Sequence, residues 1–457
     1  MKRYSHLLLK VRSHCVIAHA PAHLDVLAGA SRPLGHIDGG GCIDACLRRR
    51  TDASRVQRVF HACHSLGHIG EQGSGYNDQE KAIGLDRTLA VEISDPRQAE
   101  ALVQDLRALN AVEWATVEAL ACAPLAQVAQ SLDWQSGSTP HERVNAQQAL
   151  AMETGDKRVV VAVIDTGIAL EHQELAQRLR AGFDTVDLGM GMVASGIRLV
   201  GDSRGRDFCP RDETGHGTHV AGIIGARGLR LPPGLAGNAA LLPVRALAAA
   251  ALDDSGENLV GVGGILDIDA AIKVAVDLGA KVLNMSFGTP ASQLESAAPP
   301  PHADVIHYAL NKGVIPVAAI GNSGKQERYY PAALPDVIAV GSMDSRGQRS
   351  AFSTWGEHIT LCAPGEAIPS LGMEGYLEST GTSHAAPFVA ATVALMVARA
   401  RRQGVELDAP TARHLLAQSA SDGPHSHNPE TGFGMLNASG ALQALDSMLA
   451  RKGETSW

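Results

Sequence analysis

The sequence contains few aromatic residues, few cysteines and no long apolar run. Aromatic residues make up 4% of its 457 residues, so Ala, Val, Leu and Ile must supply most of the core. No apolar run is long enough to cross a bilayer, and a net charge of −9 is unfavourable for binding a polyanion. We therefore expect neither a membrane nor a nucleic acid among the partners.

The N-terminus and the cysteines bear on the cellular compartment. The start of the chain is basic, and Lys10 and Arg12 interrupt it before an apolar signal segment can form. Seven cysteines, an odd number, indicate mostly reduced thiols when no signal segment is present. We expect a cytoplasmic protein, with unconventional export as the alternative.

The chain divides into regions that differ in their pattern of apolar and polar residues. From about residue 145, short Val/Ile/Ala-rich runs alternate with helical patterns, which predicts a buried parallel sheet with helices on both faces. A polar, turn-rich stretch precedes this region. The predicted division is a small regulatory α+β domain (residues 1–125), a linker and candidate processing region (126–144), an α/β domain (145–450) and a tail (451–457).

Within the first region the patterns suggest alternating strands and helices. Strand patterns cover residues 5–11, 88–94 and 112–120, and helical patterns cover 54–63 and 96–109. This order predicts a small α+β module.

Four polar residues in the second region follow buried strands or begin helices. Asp165 follows the apolar run 159–164, and Asn322 follows another predicted strand. His216 lies between glycines ahead of a helical run, and Ser383 begins a long apolar helix. Each of the four taken alone has a common structural explanation, as a turn, a cap or a packed residue.

Together, these residues supply the parts of acyl transfer by a serine nucleophile. The Ser383 hydroxyl would attack a carbonyl and His216 would take its proton. Asp165 would fix the imidazole tautomer, and Asn322 with the Ser383 N–H would hold the oxyanion. His219 is a competing imidazole, but it lies one turn further along an apolar helix, so we expect it to be structural.

The segments around these residues resemble the signature blocks of the subtilisin-like serine peptidases. The matching blocks are residues 163–167, 216–222, 321–322 and 381–383, in the chain order of that family. The resemblance covers roughly residues 140–447. It implies a three-layer αβα sandwich with a mostly parallel sheet, and a serine endopeptidase that hydrolyses peptide bonds through an acyl-enzyme on Ser383.

The resemblance also implies how substrates and cofactors are bound. Protein or peptide substrates would pair with the strand that is similar to the family's substrate-binding strand. We find no Asn-rich loop between Ala226 and Leu241 like the one that forms the family's strong calcium site. We therefore expect no required cofactor and no metal ligand, with calcium left open. The implied substrate-binding residues are Ser286, Phe287, Gly288, Ala318, Ala319 and Gly321.

The first region is similar to the inhibitory propeptide of these peptidases. Residues 88–120 match the second half of that domain as strand, helix and strand. The match implies a ferredoxin-like α+β domain that acts as an intramolecular inhibitor. Its tail, residues 121–144, would occupy the active site and be cleaved there. A general regulatory domain is the alternative.

His384 and the short segment 325–328 after Asn322 depart from the family pattern. His384 stands where the family usually has Met after the serine, and we expect it to be tolerated. Glu327 lies in this segment and flanks the expected substrate pocket. We favour a solvated loop glutamate over a residue that selects substrates with a basic side chain next to the cleaved bond. Two other functions compete with the enzyme. One is a catalytically silent peptide-binding protein on the same scaffold, and the other is an acid-acting serine-carboxyl peptidase, which would need Glu in the role of His216.

Overall fold

An antiparallel sheet of four strands organises the N-terminal domain, residues 1–124. The computed structural model describes residues 1–51, 53–63, 75–124, 139–194, 196–204, 208–252 and 259–454. The first elements are β1 (Lys2–Val11), α1 (His23–Leu27), α2 (Cys42–Arg48), β2 (Ala53–Arg58), α3 (Asp78–Ile83), β3 (Thr88–Ile93), α4 (Ala99–Arg107) and β4 (Val112–Pro124). The strand order is β2-β3-β1-β4 with antiparallel neighbours, which is the expected ferredoxin-like arrangement.

The helix predicted at residues 54–63 is wrong. This segment begins with strand β2, which pairs antiparallel with β3 and places Val56 opposite Val91. Val56 is fully buried in the domain core. Its partner strand lies about 35 residues further along the chain, so pairing across the sheet overrides the local helical pattern.

The leucines of β1 face both sides of the sheet. Leu7 and Leu9 pack with Leu102 and Leu106 of α4 in the core of the N-terminal domain. Leu8 faces the other side and belongs to a core shared with the C-terminal domain. Because side chains alternate between the two faces of a strand, one face of β1 packs on helix α4 of its own domain and the other packs on the C-terminal domain.

The C-terminal domain contains a seven-stranded parallel sheet. Its order is β17-β16-β14-β12-β5-β9-β6, and all neighbouring pairs are parallel. The strands of this domain are β5 (Val160–Asp165), β6 (Phe183–Asp184), β7 (Met192–Ala194), β8 (Ile197–Leu199), β9 (Ala240–Arg245), β10 (Ala248–Ala251), β11 (Leu259–Gly264), β12 (Val282–Met285), β13 (Thr289–Pro290), β14 (Ile315–Ala319), β15 (Tyr329–Tyr330), β16 (Ile338–Met343), β17 (Leu361–Pro364), β18 (Ile368–Leu371) and β19 (Tyr376–Ser379).

Helices cover both faces of this sheet and complete the expected αβα sandwich. The helices are α5 (Pro140–Arg143), α6 (Ala146–Met152), α7 (His216–Gly225), α8 (Ile265–Asp277), α9 (Ala303–Asn311), α10 (Thr382–Arg402), α11 (Ala409–Ser419) and α12 (Ala438–Glu454). Helices α7 and α10 pack on one face and α8 and α9 on the other. By length and hydropathy α10 could span a membrane, but 94% of its most apolar window is buried in the domain.

Strand β4 joins the two domains. Its last five residues pair antiparallel with β11, so the N-terminal sheet continues into the C-terminal domain in the order β2-β3-β1-β4-β11-β10-β8-β7. Of the predicted linker, residues 126–138 lie outside the described part of the chain. Helix α12 extends four residues into the predicted tail.

A buried ionic cluster lies at the interface of the two domains. Lys273 of α8 donates to Glu80 of the N-terminal domain at 2.7 Å and also pairs with Asp277. His61 contacts Asp277 at 2.9 Å from the N-terminal side, and the Tyr308 hydroxyl donates to the same carboxylate. Burial alone would raise the pKa of Asp277, but the His61 hydrogen bond and the Lys273 charge outweigh it and lower that pKa to about 2.

We expect Glu80→Gln to destabilise the protein, because it removes one of two carboxylates that neutralise buried Lys273. The free energy of unfolding should fall by about 2–3 kcal/mol, measured by urea denaturation. Glu100→Gln is the matched control, since Glu100 pairs with Lys2 at the surface and should contribute less than about 1 kcal/mol. Equal effects of the two substitutions would contradict the role of the buried cluster.

Candidate active site

Asp165 and His216 form a buried hydrogen-bonded pair. Asp165 is the last residue of β5 and His216 the first of α7. His216 Nδ1 lies 2.6 Å from Asp165 Oδ1, which also accepts from the Thr166 N–H. Since the carboxylate accepts the Nδ1 proton, Nε2 is the nitrogen left to act as a base. His216 Nε2 is buried and has no hydrogen-bond partner among the described residues.

Two opposing effects set the pKa of His216. Burial lowers this pKa, but the charge of Asp165 and the hydrogen bond to it raise it, and Asp212 adds to the increase. The net result is a pKa above the ordinary value of a histidine. The imidazolium form is therefore stabilised, as a proton acceptor in acyl transfer requires.

Asp212 holds the Asp165 and His216 segments together, and the sequence reasoning missed it. Its Oδ1 accepts from Thr166 Oγ1 at 2.9 Å and from the Gly215 N–H at 3.0 Å. Its Oδ2 accepts from the N–H and the hydroxyl of Thr218. Asp212 lies just before the start of α7, where a carboxylate often accepts hydrogen bonds from free N–H groups of the helix. This position in the sequence could have indicated its role.

Ser383 lies in the first turn of α10. N–H groups in the first turn of a helix have no acceptor within that helix, so the Ser383 N–H is available to an anion. The Ser383 hydroxyl donates to the Ser286 carbonyl at 3.0 Å, and the Ser286 hydroxyl donates back to the Ser383 carbonyl. The nucleophile candidate is thus anchored to the end of β12, which lies beside β5.

Asn322 is oriented by the residue before Ser383. Its Oδ1 accepts from the N–H and the hydroxyl of Thr382, at 3.0 and 2.8 Å. Because the oxygen is engaged, the amide nitrogen is the end left to donate to another group. Asn322 and Ser383 line one cavity of about 290 Å³.

The same cavity gathers most of the predicted substrate-binding residues. Ser286, Phe287, Gly288, Ala319 and Gly321 all line it. Ala318 is fully buried in β14 and is not part of the lining. The strand-end placement expected from the sequence therefore converges on one site at the carboxyl edge of the sheet.

Comparison with known proteins identifies the family. A family model described as the subtilase family matches residues 156–435. The chain belongs to the subtilase family. Similar proteins include the thermophilic serine proteinase of Bacillus sp. (strain AK1), 32% identical over 72% of this chain and 78% of that protein. Thermitase of Thermoactinomyces vulgaris is 34% identical over 57% of this chain and 82% of that protein.

Solved structures agree on the fold of this subtilase. The prenylagaramide maturation protease PagA is 27% identical, with a TM-score of 0.52, over 66% of this chain and 98% of that one. A lanthipeptide protease, 24% identical, has a TM-score of 0.53 over 66% of this chain and 92% of that one. Together with the family match and the similar proteinases, these findings make the subtilase a serine peptidase.

The cleft of the subtilase is occupied by the end of its own β4. Cys122 exchanges two backbone hydrogen bonds with Gly288, at 3.3 and 3.2 Å. On its other side the same residue lies opposite Val262 of β11. An antiparallel register that continues for two more residues would bring Pro124 opposite Ser286, whose carbonyl accepts from the Ser383 hydroxyl.

Two further imidazoles of the subtilase lie behind the site. The ring centre of His384 is 5.6 Å from that of His216 and 4.4 Å from that of His219. His384 Nε2 contacts Ser379 Oγ, and His219 Nε2 contacts the Ile368 carbonyl. Burial, with the neighbouring imidazoles, lowers the pKa of His384 well below its usual value and that of His219 to about 3. Both rings are therefore neutral packing groups at neutral pH.

Two acidic residues of the C-terminal domain, Glu327 and Glu174, accept hydrogen bonds from other groups. Glu327 accepts a hydrogen bond from Ser292 at the surface. Glu174 accepts from the N–H groups of Gly228, Leu229 and Arg230, in the segment where the family's calcium loop was sought. Among the residues that the structure describes, no group of three or more His, Cys, Asp or Glu could hold a metal ion.

We expect Asp212→Asn to reduce peptide hydrolysis by the subtilase, since an amide cannot accept all of the Oδ1 and Oδ2 hydrogen bonds. A small shift of the His216 segment should lower kcat/KM about 10- to 100-fold. Asp336→Asn is the matched control, because Asp336 is exposed in the same domain. The steady-state rate per probe-reactive serine is the measurement, and an Asp212→Asn rate equal to the control would refute this role.

Proposed function

We propose that this subtilase is a serine endopeptidase that cleaves proteins or peptides through an acyl-enzyme on Ser383. The observation that carries the proposal is the arrangement of Asp165, His216, Asn322 and Ser383. The buried Asp165–His216 pair leaves Nε2 without a partner among the described residues, and Ser383 and Asn322 line one cavity. The ring of His384, the residue after Ser383, lies 5.6 Å from the ring of His216. An acceptor, a nucleophile and an oxyanion donor are the parts that acyl transfer needs.

The first half of the reaction forms the ester. The Ser383 hydroxyl leaves the Ser286 carbonyl, gives its proton to His216 Nε2 and attacks the substrate carbonyl carbon. The tetrahedral oxyanion accepts hydrogen bonds from Asn322 Nδ2 and the Ser383 N–H. His216 then passes its proton to the leaving amine as the C–N bond breaks.

The second half repeats these roles with water. Water gives a proton to His216 and attacks the ester, and the proton returns to Ser383 when the acid product leaves. Throughout, Asp165 keeps the Nδ1 proton in place and stabilises the imidazolium by its charge. The only role of Asn322 is to donate a hydrogen bond to the oxyanion. One such donor typically raises the rate about 100- to 1000-fold.

One observation favours the alternative of a silent peptide-binding protein. The Ser383 hydroxyl donates to Ser286 and not to His216. In the enzyme this is a resting rotamer, since catalytic hydrogen bonds often form only with substrate bound. In a silent protein it would be the permanent state, so covalent reactivity of Ser383 separates the two functions.

We expect a fluorophosphonate probe to label the processed protein at Ser383 and not to label Ser383→Ala. The labelling rate should rise with pH through the raised pKa of His216 and fall at lower pH, because the imidazolium cannot accept the serine proton. Mass spectrometry of the labelled peptide, with rates at several pH values, is the measurement. Absence of labelling, or a rate independent of pH, would support the silent protein.

We also propose that the N-terminal domain is an intramolecular inhibitor. Support comes from its tail, which pairs with β11 and Gly288 in the position that a substrate backbone would need. By this register, Pro124 presents its carbonyl near Ser383, and the cleaved bond is Pro124–Leu125. Residues 1–124 would remain attached through the buried interface around Lys273 after that cleavage.

This register predicts the product of self-processing. N-terminal sequencing of the purified protein should give a chain that begins at Leu125, with a second chain from Met1. Ser383→Ala should remain a single chain of 457 residues. A processing site far from residue 124, or equal cleavage in Ser383→Ala, would contradict self-cleavage at the cleft.

We further propose that this peptidase requires no calcium at the segment after α7. The Glu174 carboxylate supplies a negative charge there and is neutralised by backbone N–H groups and the Tyr376 hydroxyl. Burial alone would raise the pKa of Glu174, but these hydrogen bonds outweigh it and lower that pKa. The hydrogen bonds to the Glu174 carboxylate thus order this segment without an ion.

Chelation should therefore leave the Tm unchanged, whereas Glu174→Gln should lower the stability by about 2–3 kcal/mol at neutral pH. Because the folded-state pKa of Glu174 is lowered, its contribution is full above the unfolded-state pKa and is lost as the pH falls through the folded-state pKa. Thermal unfolding with and without EDTA, from neutral to acidic pH, tests both points. A large loss of Tm with EDTA would refute the proposal.

A further inference from the structure

The cavity beside Ser383 contains an aromatic ring that the catalytic mechanism does not use. Tyr329 lines this cavity together with Gly288, Gly321 and Asn322. It is the first residue of β15. Its side chain is half-buried, so the ring faces the site more than the solvent.

The ring of Tyr329 fills the space between two glycines. A Cβ atom placed on Gly321 would lie 2.8 Å from three ring atoms, and one placed on Gly288 would lie 3.0 Å from Cδ1. Both distances are shorter than a normal contact between carbon atoms. The ring therefore packs directly against both backbones, and a second large side chain has no room between them. Gly321 also has a φ of +96°, which favours glycine at this position.

The backbone of Tyr329 is held in place by its neighbours. Tyr329 lies opposite Pro290 in the antiparallel pair of β13 and β15. Strand β13 begins at the residue after Gly288. The Tyr329 carbonyl accepts from the Ala333 N–H at 2.8 Å, and the preceding carbonyl, of Arg328, accepts from the Ala291 N–H at 2.8 Å. The ring thus belongs to a paired segment on the same wall of the cavity as Gly288.

The chemistry of the cavity wall at Tyr329 favours uncharged side chains. Burial raises the pKa of the Tyr329 hydroxyl, with the Glu327 charge adding to the increase, so the ring is neutral. The Glu327 carboxylate is engaged with Ser292 at the surface. Beside Ser383 the cavity therefore presents a neutral ring to a substrate, with Glu327 directed to another partner.

The tail of the N-terminal domain is consistent with a shallow pocket. It reads Ala121, Cys122, Ala123 and Pro124 where it pairs with β11, with no long or aromatic side chain. This is an observation on a different domain from Tyr329. A chain segment that pairs in the cleft thus already has the small residues that a filled pocket would accept.

We propose that Tyr329 determines specificity by occupying the space between Gly288 and Gly321, where it leaves little room for the side chain of the P1 residue, the residue whose carbonyl Ser383 attacks. The peptidase then prefers small P1 residues such as Ala, Ser or Pro over Phe, Leu or Lys. This inference depends on the proposed role of Ser383. It concerns the size of the space that is left for the P1 side chain.

The test compares peptide anilides that differ only at P1, with Ala, Ser, Phe or Lys. The enzyme is the full-length chain after self-processing, and the concentration of reactive Ser383 is set by fluorophosphonate titration. In the wild type, kcat/KM should be about 100-fold higher for P1 Ala than for P1 Phe. Removing the ring in Tyr329→Gly should change this ratio about 10- to 100-fold in favour of Phe.

Two controls separate ring volume from other effects. Tyr329→Phe keeps the ring without the hydroxyl and should keep the wild-type Ala-to-Phe ratio. Tyr4→Gly removes an exposed tyrosine of the N-terminal domain and should leave the ratio unchanged. A Tyr329→Gly protein that no longer reacts with the probe has lost its fold, and the inference then depends on the wild-type ratio and on Tyr329→Ala.

The outcomes are distinct. A wild-type enzyme that reacts with the probe and cleaves P1 Phe as well as P1 Ala would overturn the role of Tyr329 while leaving the peptidase function intact. The same conclusion would follow if Tyr329→Gly and Tyr329→Ala both kept the wild-type ratio. Absence of both probe labelling and hydrolysis of any peptide would overturn the proposed function and this inference with it.

Discussion

Strand β4 is the structural element on which the rest of the arrangement depends, because it belongs to both domains. Its first part completes the N-terminal sheet beside β1, and its last five residues add a strand to β11. Backbone hydrogen bonds in these two ladders fix how the domains meet, and they also fix Cys122 beside Gly288. A slip by one residue would reverse every side chain of the tail and move the carbonyl that faces Ser383.

The contacts on either side of this strand have different physical origins. The domain interface combines apolar burial around Leu8 with the fully buried charges of Lys273 and Glu80. Buried ion pairs add little net stability, but they penalise any arrangement that leaves one partner alone. The interface is therefore specific as well as stable. At the catalytic centre, the same low-polarity surroundings strengthen the attraction between Asp165 and protonated His216.

The sequence was most informative where function depends on a residue at the end of an element. Asp165 at a strand end and Ser383 at a helix start carried enough local pattern to be placed correctly at the edge of the sheet. The predicted helix at 54–63 failed because its partner strand is distant in sequence. Asp212 and Tyr329 were missed for a related reason. Asp212 matters because several N–H groups converge on its carboxylate, and Tyr329 matters because its ring contacts Gly288, some forty residues away in the chain. A short stretch of sequence shows neither contact.

A crystal structure of full-length Ser383→Ala shows directly whether the end of β4 lies in the cleft, because this variant cannot cleave its own tail. We expect residues 120–124 between β11 and Gly288, with Cys122 N about 3.3 Å from the Gly288 carbonyl oxygen and Pro124 opposite Ser286. An empty cleft, or a tail paired in another register, would contradict an N-terminal domain that holds its own C-terminal strand in the active site.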